Sequence, residues 1–385
     1  MRTAEGTGSA LVAVVLAAGS GTRMRSARPK PLHLLCGRAM LLHILDAVAG
    51  LDLERAVVVV GHGAERVTKK LIDHGPEALA IDFVEQQVQR GTGDAVMVAL
   101  TAFDDDDDDA GDVLVVPGDA PLLSTATLAR LVTAHRGADA AATLLTTHLD
   151  DPTGYGRVVR GRSGSVARIV EEVDADEEQR AIREVAMSIY CFRRSVVAPA
   201  LRRITPDNTK GEYYLTDVVA VLAAAGYTVG TVVVEDAAEL AGVNDRAQLA
   251  AAEAELRRRT NARWLAGGVT MVDPERTYID TGVRLGTDVT LFPGTILQGD
   301  TFIGGRSEIG PDTRLVDTVV GEGAVVASTV AVSAHIGDGA TVGPFAHLEP
   351  GTDVAPGTRT GPFFSSAGAA GGHDGSSDSA GDDPT

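Results

Sequence analysis

Between Leu16 and Lys30 the chain reads Leu-Ala-Ala-Gly-Ser-Gly-Thr-Arg-Met-Arg-Ser-Ala-Arg-Pro-Lys. This run overlaps the end of an apolar segment, residues 11–17, with the character of a strand, and the reading predicts a helix after it. A glycine turn in that place can point backbone N–H groups at an anion at a helix N-terminus. Arg23 adds several donors in one plane and Lys30 a compact positive charge, so the chemistry on offer is the holding of phosphate. Two other phosphate motifs are excluded: a dinucleotide fingerprint needs glycine where Met24 stands, and a Walker-type loop needs Gly-Lys followed by Ser or Thr.

More residues with chemistry follow in short motifs. These are Gln86 with Gly91-Thr92-Gly93, Gly118-Asp119, the run from Asp150 to Arg157 that ends Gly-Tyr-Gly156-Arg, Ile169-Val-Glu171, Gly211-Glu-Tyr-Tyr-Leu-Thr-Asp217 and Gly242-Val-Asn244. Gly-x-Gly-Thr-Arg-Met with a following Pro-Lys resembles the pattern of nucleoside-triphosphate-dependent sugar nucleotidyltransferases. The order of the other motifs narrows the resemblance to the bifunctional N-acetylglucosamine-1-phosphate uridylyltransferase and glucosamine-1-phosphate acetyltransferase family. It covers about residues 10–364.

The resemblance implies roles position by position. Leu16, Ala17, Ala18, Gly19, Gln86, Gly91 and Thr92, with Gly118 and Asp119, fall at uridine-nucleotide positions, and an amide side chain with backbone groups suits the uracil edge. Gly156, Glu171 and Asn244 fall on the sugar side. Asp119 and Asn244 fall at the Mg²⁺ positions, two hard oxygen ligands that leave further sites to phosphates and water. Arg23 and Lys30 are the catalytic positions. The implied reaction is attack of a sugar 1-phosphate oxygen on the α-phosphorus of UTP, giving UDP-N-acetylglucosamine and pyrophosphate. A phosphate oxyanion is already a nucleophile, so no catalytic His or Ser is expected. Association as a homotrimer through the C-terminal repeats is a further implication.

Two departures stand out. Where the family has an asparagine that contacts the sugar, in an Asn-Thr/Ala-Gly stretch, this chain has Ala186 in Val-Ala-Met-Ser188-Ile-Tyr, which opens the alternative of another hexosamine or modified sugar 1-phosphate. Pro117 before Gly118 is a second local difference in the same region. The other departure concerns acetyl transfer. The family's phosphate-binding arginine aligns with Glu349 and its lysine with Ala367, and a reversed charge is hostile to an anion. The coils that carry the acetyltransferase histidine have no counterpart in the chain. The expectation is a uridylyltransferase without acetyltransferase activity. A non-catalytic nucleotide-sugar sensor or β-helix scaffold is the alternative of another class, and the presence of Arg23, Lys30, Asp119 and Asn244 argues against it.

These residues need elements to position them. Apolar, β-branched runs at 11–17, 56–60, 80–84, 113–116, 140–146, 187–192 and 227–234 alternate with helical spacing such as 39–49 and 124–135. That alternation predicts an α/β domain, Rossmann-like, with a mixed, mainly parallel sheet over residues 1–244. A linker helix is expected within 245–274. Beyond it, branched residues recur every six positions: Ile303, Ile309 and Leu315, then Val320, Val326 and Val332, then Ile336, Val342, Leu348 and Val354. This predicts a short left-handed parallel β-helix of hexapeptide repeats, about five coils over 275–364. Residues 365–385, mostly Gly, Ser, Ala and Asp, are expected to be disordered.

The 385 residues, 44% apolar, suffice for two domains. A net charge of −19 excludes a basic nucleic-acid footprint, and ten of the negatives lie in the run 104–109 and in the tail. Cys36 and Cys191 are too few for a disulfide framework and read as buried packing. No stretch reaches the roughly 18–20 apolar residues of a membrane span, and a cytoplasmic protein is expected.

Overall fold

Valine, leucine and alanine supply most of the strand centres, and their alternation sends successive side chains to opposite faces. The computed structural model describes residues 10–103, 111–162 and 164–367. The acidic run 104–109 and the expected disorder beyond 367 lie outside the described residues. By contact density the chain divides into two units, residues up to 35 with 39–252, and 36–38 with 253 onward. The division falls inside the helix Arg246–Ala266.

The first unit is built on nine strands: β1 Ala10–Leu16, β2 Arg55–Val60, β3 Ile81–Glu85, β4 Gly111–Pro117, β5 Ala142–His148, β6 Gly156–Arg160, β7 Val166–Val170, β8 Glu184–Arg193 and β9 Val229–Val233. The sheet order is β9-β5-β8-β4-β1-β2-β3, with β6 pairing β8 and β7. β3, β2, β1 and β4 run parallel, as do β5 and β9, while β8 is antiparallel to β4, β5 and β6. This is the mixed, mainly parallel sheet that the apolar runs predict. The hairpin of β6 and β7 has no such run and was not legible; its strands are short and only partly buried.

Both faces of the sheet are covered. Ala13, Val15 and Val58 pack on one side with Leu41, Leu45, Leu71, Leu128 and Leu131 of the helices Met40–Ala49, Ala64–His74 and Thr125–Gly137. Val12, Val14 and Val57 pack on the other with Val96, Val197, Leu201 and Val218 of Thr92–Ala99, Arg194–Leu201 and Asp217–Ala224. A sheet covered on two sides explains strands that read as unbroken hydrophobic runs.

The second unit contains three parallel sheets of five two- or three-residue strands each, a β-helix of five coils. Ile303, Ile309, Leu315, Val320, Val326, Ile336 and Leu348 are wholly buried along its axis. One expected position is wrong. Ala331, not Val332, is the buried residue of its strand, because the step on either side of Ala331 is five residues rather than six. Buried threonines form an inner column at Thr277, Thr295, Thr313 and Thr329, and their hydroxyls donate to nearby carbonyls, Thr295 to Phe292 at 2.7 Å and Thr329 to Ala327 at 2.8 Å. Asp312, Ser328 and Ser333 take left-handed corners. Ser365 still bridges to His347, so the ladder runs one residue past 364. Both cysteines are buried and free, and burial pushes their thiols far above the ordinary range. Among the described residues no helix is long and apolar enough to cross a membrane.

Candidate active site

β1 and β4 are neighbours and parallel, so their carboxyl ends, Leu16 and Pro117, open on the same edge, where α/β sheets commonly bind ligands. The glycine run follows β1. It does not lead into an α-helix, which corrects the expectation; single 3₁₀ turns at Thr22–Met24 and Lys30–Leu32 follow instead. Pro29 and Pro31 account for this, since proline lacks a donor and biases the residue before it away from helical angles. The glycine run is therefore a loop. Gly21, at φ +61, brings the loop so close to Lys30 that an added Cβ would stand 2.6 Å from Lys30 Cβ, whereas the space beside Gly19 is open.

At the edge of this loop four polar side chains meet. The Val243 N–H donates to the Asp119 carbonyl at 2.7 Å and holds Asn244 beside Asp119. Lys30 Nζ donates to Asp119 Oδ2 and, at 2.8 Å, to Asn244 Oδ1, which also accepts from Arg23 at 3.0 Å. A carboxylate oxygen and an amide oxygen thus converge on one positive centre. Two hard oxygens around a single cation fit a Mg²⁺ ion that draws its other ligands from phosphate and water.

Across the cavity, Gln86 is buried and donates both amide hydrogens within the protein, to Gly91 O at 3.1 Å and Asp94 Oδ2 at 2.7 Å. Only its carbonyl oxygen is left outside these bonds. Gly91 has φ +111, and an added Cβ would lie 2.5 Å from Tyr213 O. Thr92 Oγ1 accepts from Leu215 N at 3.1 Å. This bond, with Gly93 N–H donating to Tyr213 O at 2.8 Å and Tyr213 N–H to Arg90 O at 2.7 Å, fastens the 86–93 segment to the 211–217 segment.

The remaining wall comes from β6, β7 and β8. Glu171 follows β7, and its Oε1 accepts from Thr216 at 3.0 Å. Burial holds its carboxyl above the usual range, against the opposing pull of Thr216 and of Lys210. Gly156 lies beside that carboxylate, and an added Cβ would stand only 2.9 Å from Ile169 Cγ2 while meeting Glu171 Oε1 at an ordinary 3.7 Å. Arg157, fully buried, ion-pairs with Glu172 at 2.6 Å and ties β6 to the end of β7.

One cavity of about 620 Å³ gathers these groups. Leu16, Ala17, Ala18, Gly19, Arg23, Lys30, Gln86, Gly91, Thr92, Gly118, Asp119, Glu171 and Asn244 line it, whereas Gly156, expected on the sugar side, is not among the lining residues. Pro117 and Ala186 also line it. Sequence reasoning did not assign Tyr155, Ser188, Tyr190, Lys210, Tyr214, Thr216 or Gln248, which share the lining. Tyr214 and Thr216 lie inside a quoted motif and could have been found; Ser188 and Gln248 carry no signal until the chain is folded.

A doubly covered, mainly parallel sheet with a glycine loop after its first strand is an architecture of nucleotide-handling enzymes, and the chain belongs to the nucleotidyl transferase family, whose pattern matches residues 12–268. More particularly, it is 50% identical over 322 residues to the bifunctional protein GlmU of Mycolicibacterium vanbaalenii, covering 83% of this chain and 65% of that protein. Identity to the GlmU of Thermobifida fusca is 48% over 322 residues, 83% and 66% of the two chains. For Mycobacterium tuberculosis it is 48% over 318 residues, 82% and 64%. The chain spans somewhat under two thirds of the length of these relatives.

Proposed function

We propose that the protein is a Mg²⁺-dependent uridylyltransferase that joins UTP and N-acetylglucosamine 1-phosphate into UDP-N-acetylglucosamine and releases pyrophosphate. The observation that carries this reading is the meeting, in one cavity, of the glycine loop, the Lys30–Asp119–Asn244–Arg23 cluster and Glu171. The 16–19 backbone would cradle the triphosphate, and the 86–92 segment would meet the base. Glu171, with Thr216, would accept from sugar hydroxyls. An oxygen of the sugar phosphate then forms a bond to the α-phosphorus while the bond to the β-phosphate oxygen breaks. The chain's task is alignment and charge neutralisation, since an anionic oxygen needs no base.

Asp119 and Asn244 would hold the Mg²⁺, which when bound neutralises phosphate charge. Arg23 and Lys30 would grip phosphate oxygens, Lys30 giving up its contacts to Asp119 and Asn244. Asp119→Ala is expected to abolish turnover, read as UTP-dependent pyrophosphate release; a near-normal rate would remove Asp119 from its role. UTP binding without any Mg²⁺-dependent turnover of sugar 1-phosphates would favour a sensor.

Ala186, whose methyl lines the cavity, supports a second reading in which the acceptor is another hexosamine or modified sugar 1-phosphate. Specificity constants across a panel of sugar phosphates separate the two, and the highest value for N-acetylglucosamine 1-phosphate rules out the second.

A further inference from the structure

The wall of the cavity beside Glu171 contains a break in β8. Its pairing with β5 runs from Glu184 to Ala186 and resumes at Tyr190, leaving residues 187–189 as a bulge. Bulges beside sites re-aim side chains. Ser188, in the middle, has φ 57, a left-handed backbone that is unfavourable for any residue with a Cβ. Its side chain is exposed and lines the cavity, and its hydroxyl has no hydrogen-bond partner among the described residues. The bulge lets Met187 and Ile189 on either side pack into the core, yet the left-handed residue between them gains no hydrogen bond for its hydroxyl among the described residues, as a backbone kept for its site would show.

The neighbours sharpen the point. Ala186 offers the same cavity only a methyl group, 5% exposed. Tyr190, on the other side of Ser188, is fully buried against Phe192, and its hydroxyl also lacks a partner. Glu171 Oε1 is already engaged with Thr216. Along β8, among the described residues, the cavity is therefore offered one exposed polar side chain without a partner, Ser188 Oγ, next to room left by a small side chain.

We propose that Ser188 is a specificity-determining residue: its hydroxyl hydrogen-bonds a polar ring substituent of a pyranose 1-phosphate, the contact that Ala186 cannot make. This rests on the reading of the cavity as a sugar 1-phosphate site. It places the discriminating group two residues along β8 from the position that the family resemblance implies, in the one stretch of that strand free of ladder constraints.

Ser188→Ala removes the hydroxyl and keeps the Cβ, while Ser188→Gly removes both hydroxyl and strain. Both variants are expected to keep the wild-type KM for UTP and to lose about three- to tenfold in kcat/KM for the preferred sugar 1-phosphate, the effect of one neutral hydrogen bond. The preference among N-acetylglucosamine, glucosamine and glucose 1-phosphates is expected to narrow, and Ser188→Gly to unfold at the wild-type temperature or above it. Unchanged preference in Ser188→Ala, or an equal loss for UTP and every sugar, overturns the assignment. If the wild type turns over no member of the panel, the uridylyltransferase reading fails separately. Calorimetric titration with the same sugar phosphates then decides for Ser188: weaker binding to the Ala variant supports it, and equal or absent binding overturns it.

Discussion

Lys30 holds Asp119 and Asn244 in the place where a divalent cation would sit, and Arg23 adds a second positive group to Asn244. Two cations cannot share those oxygens without strong repulsion. Lys30→Met is therefore expected to bind Mn²⁺ more tightly than the wild type in the absence of nucleotide, read by the loss of free-ion EPR signal, although it turns over more slowly. Equal Mn²⁺ affinity in the two proteins would mean that Lys30 does not guard the site. Glu171 makes a second residue-scale case. Its folded pKa is raised, chiefly by burial, so it disfavours folding as pH climbs from its unfolded value through its folded one, and the deficit persists above. Glu171→Gln is expected to melt higher than the wild type near pH 8, with the difference vanishing below about pH 4, the unperturbed glutamate range. Its KM for the sugar phosphate is expected to rise without change for UTP. A Gln variant that is less stable at pH 8 contradicts the burial argument.

At the scale of elements, the buried runs of the sheet were legible because strands covered on both faces must be apolar throughout. The loop after β1 was misread because a glycine run suggests a helix start, while the two prolines that prevent it act through missing donors and local sterics. The β-helix was readable from its six-residue rhythm, except where the step shortens. That exception can be tested. Ala331→Leu is expected to destabilise the protein by about 1–3 kcal/mol through overpacking, whereas Val332→Ser, outside the core, is expected to cost under about 0.5 kcal/mol. Thermal or urea unfolding of the two variants measures the contrast, and similar costs would return Val332 to the core.

For the whole molecule, −19 is a poor guide to the ligand, since the proposed substrates are anions and the positive groups that would meet them are few and local. The chain combines a nucleotidyl transferase unit with a β-helix unit, and likeness to bifunctional relatives does not by itself give it their full activity. Glu349 is exposed near the last coils, its backbone N–H bonded to Ser366 at 2.9 Å, and a carboxylate there repels a phosphate-bearing coenzyme. The 385-residue chain is expected not to acetylate glucosamine 1-phosphate from acetyl-coenzyme A; product formation by the purified protein would refute this.

The sequence by itself determined the layered α/β unit, the coil count of the β-helix and the positions whose types suit phosphate, because periodicity and motif spacing are local properties of the chain. Tertiary structure alone decided the rest. It closed Lys30 onto Asp119 and Asn244, residues 89 and 214 positions away. It spent both amide hydrogens of Gln86 inside the protein and placed Ala331 on the axis in place of Val332. It also bent β8 so that Ser188, to which no role had been assigned, lines the cavity. Each depends on which distant groups compete for the same donor, cation or volume, and that competition exists only once the chain has folded.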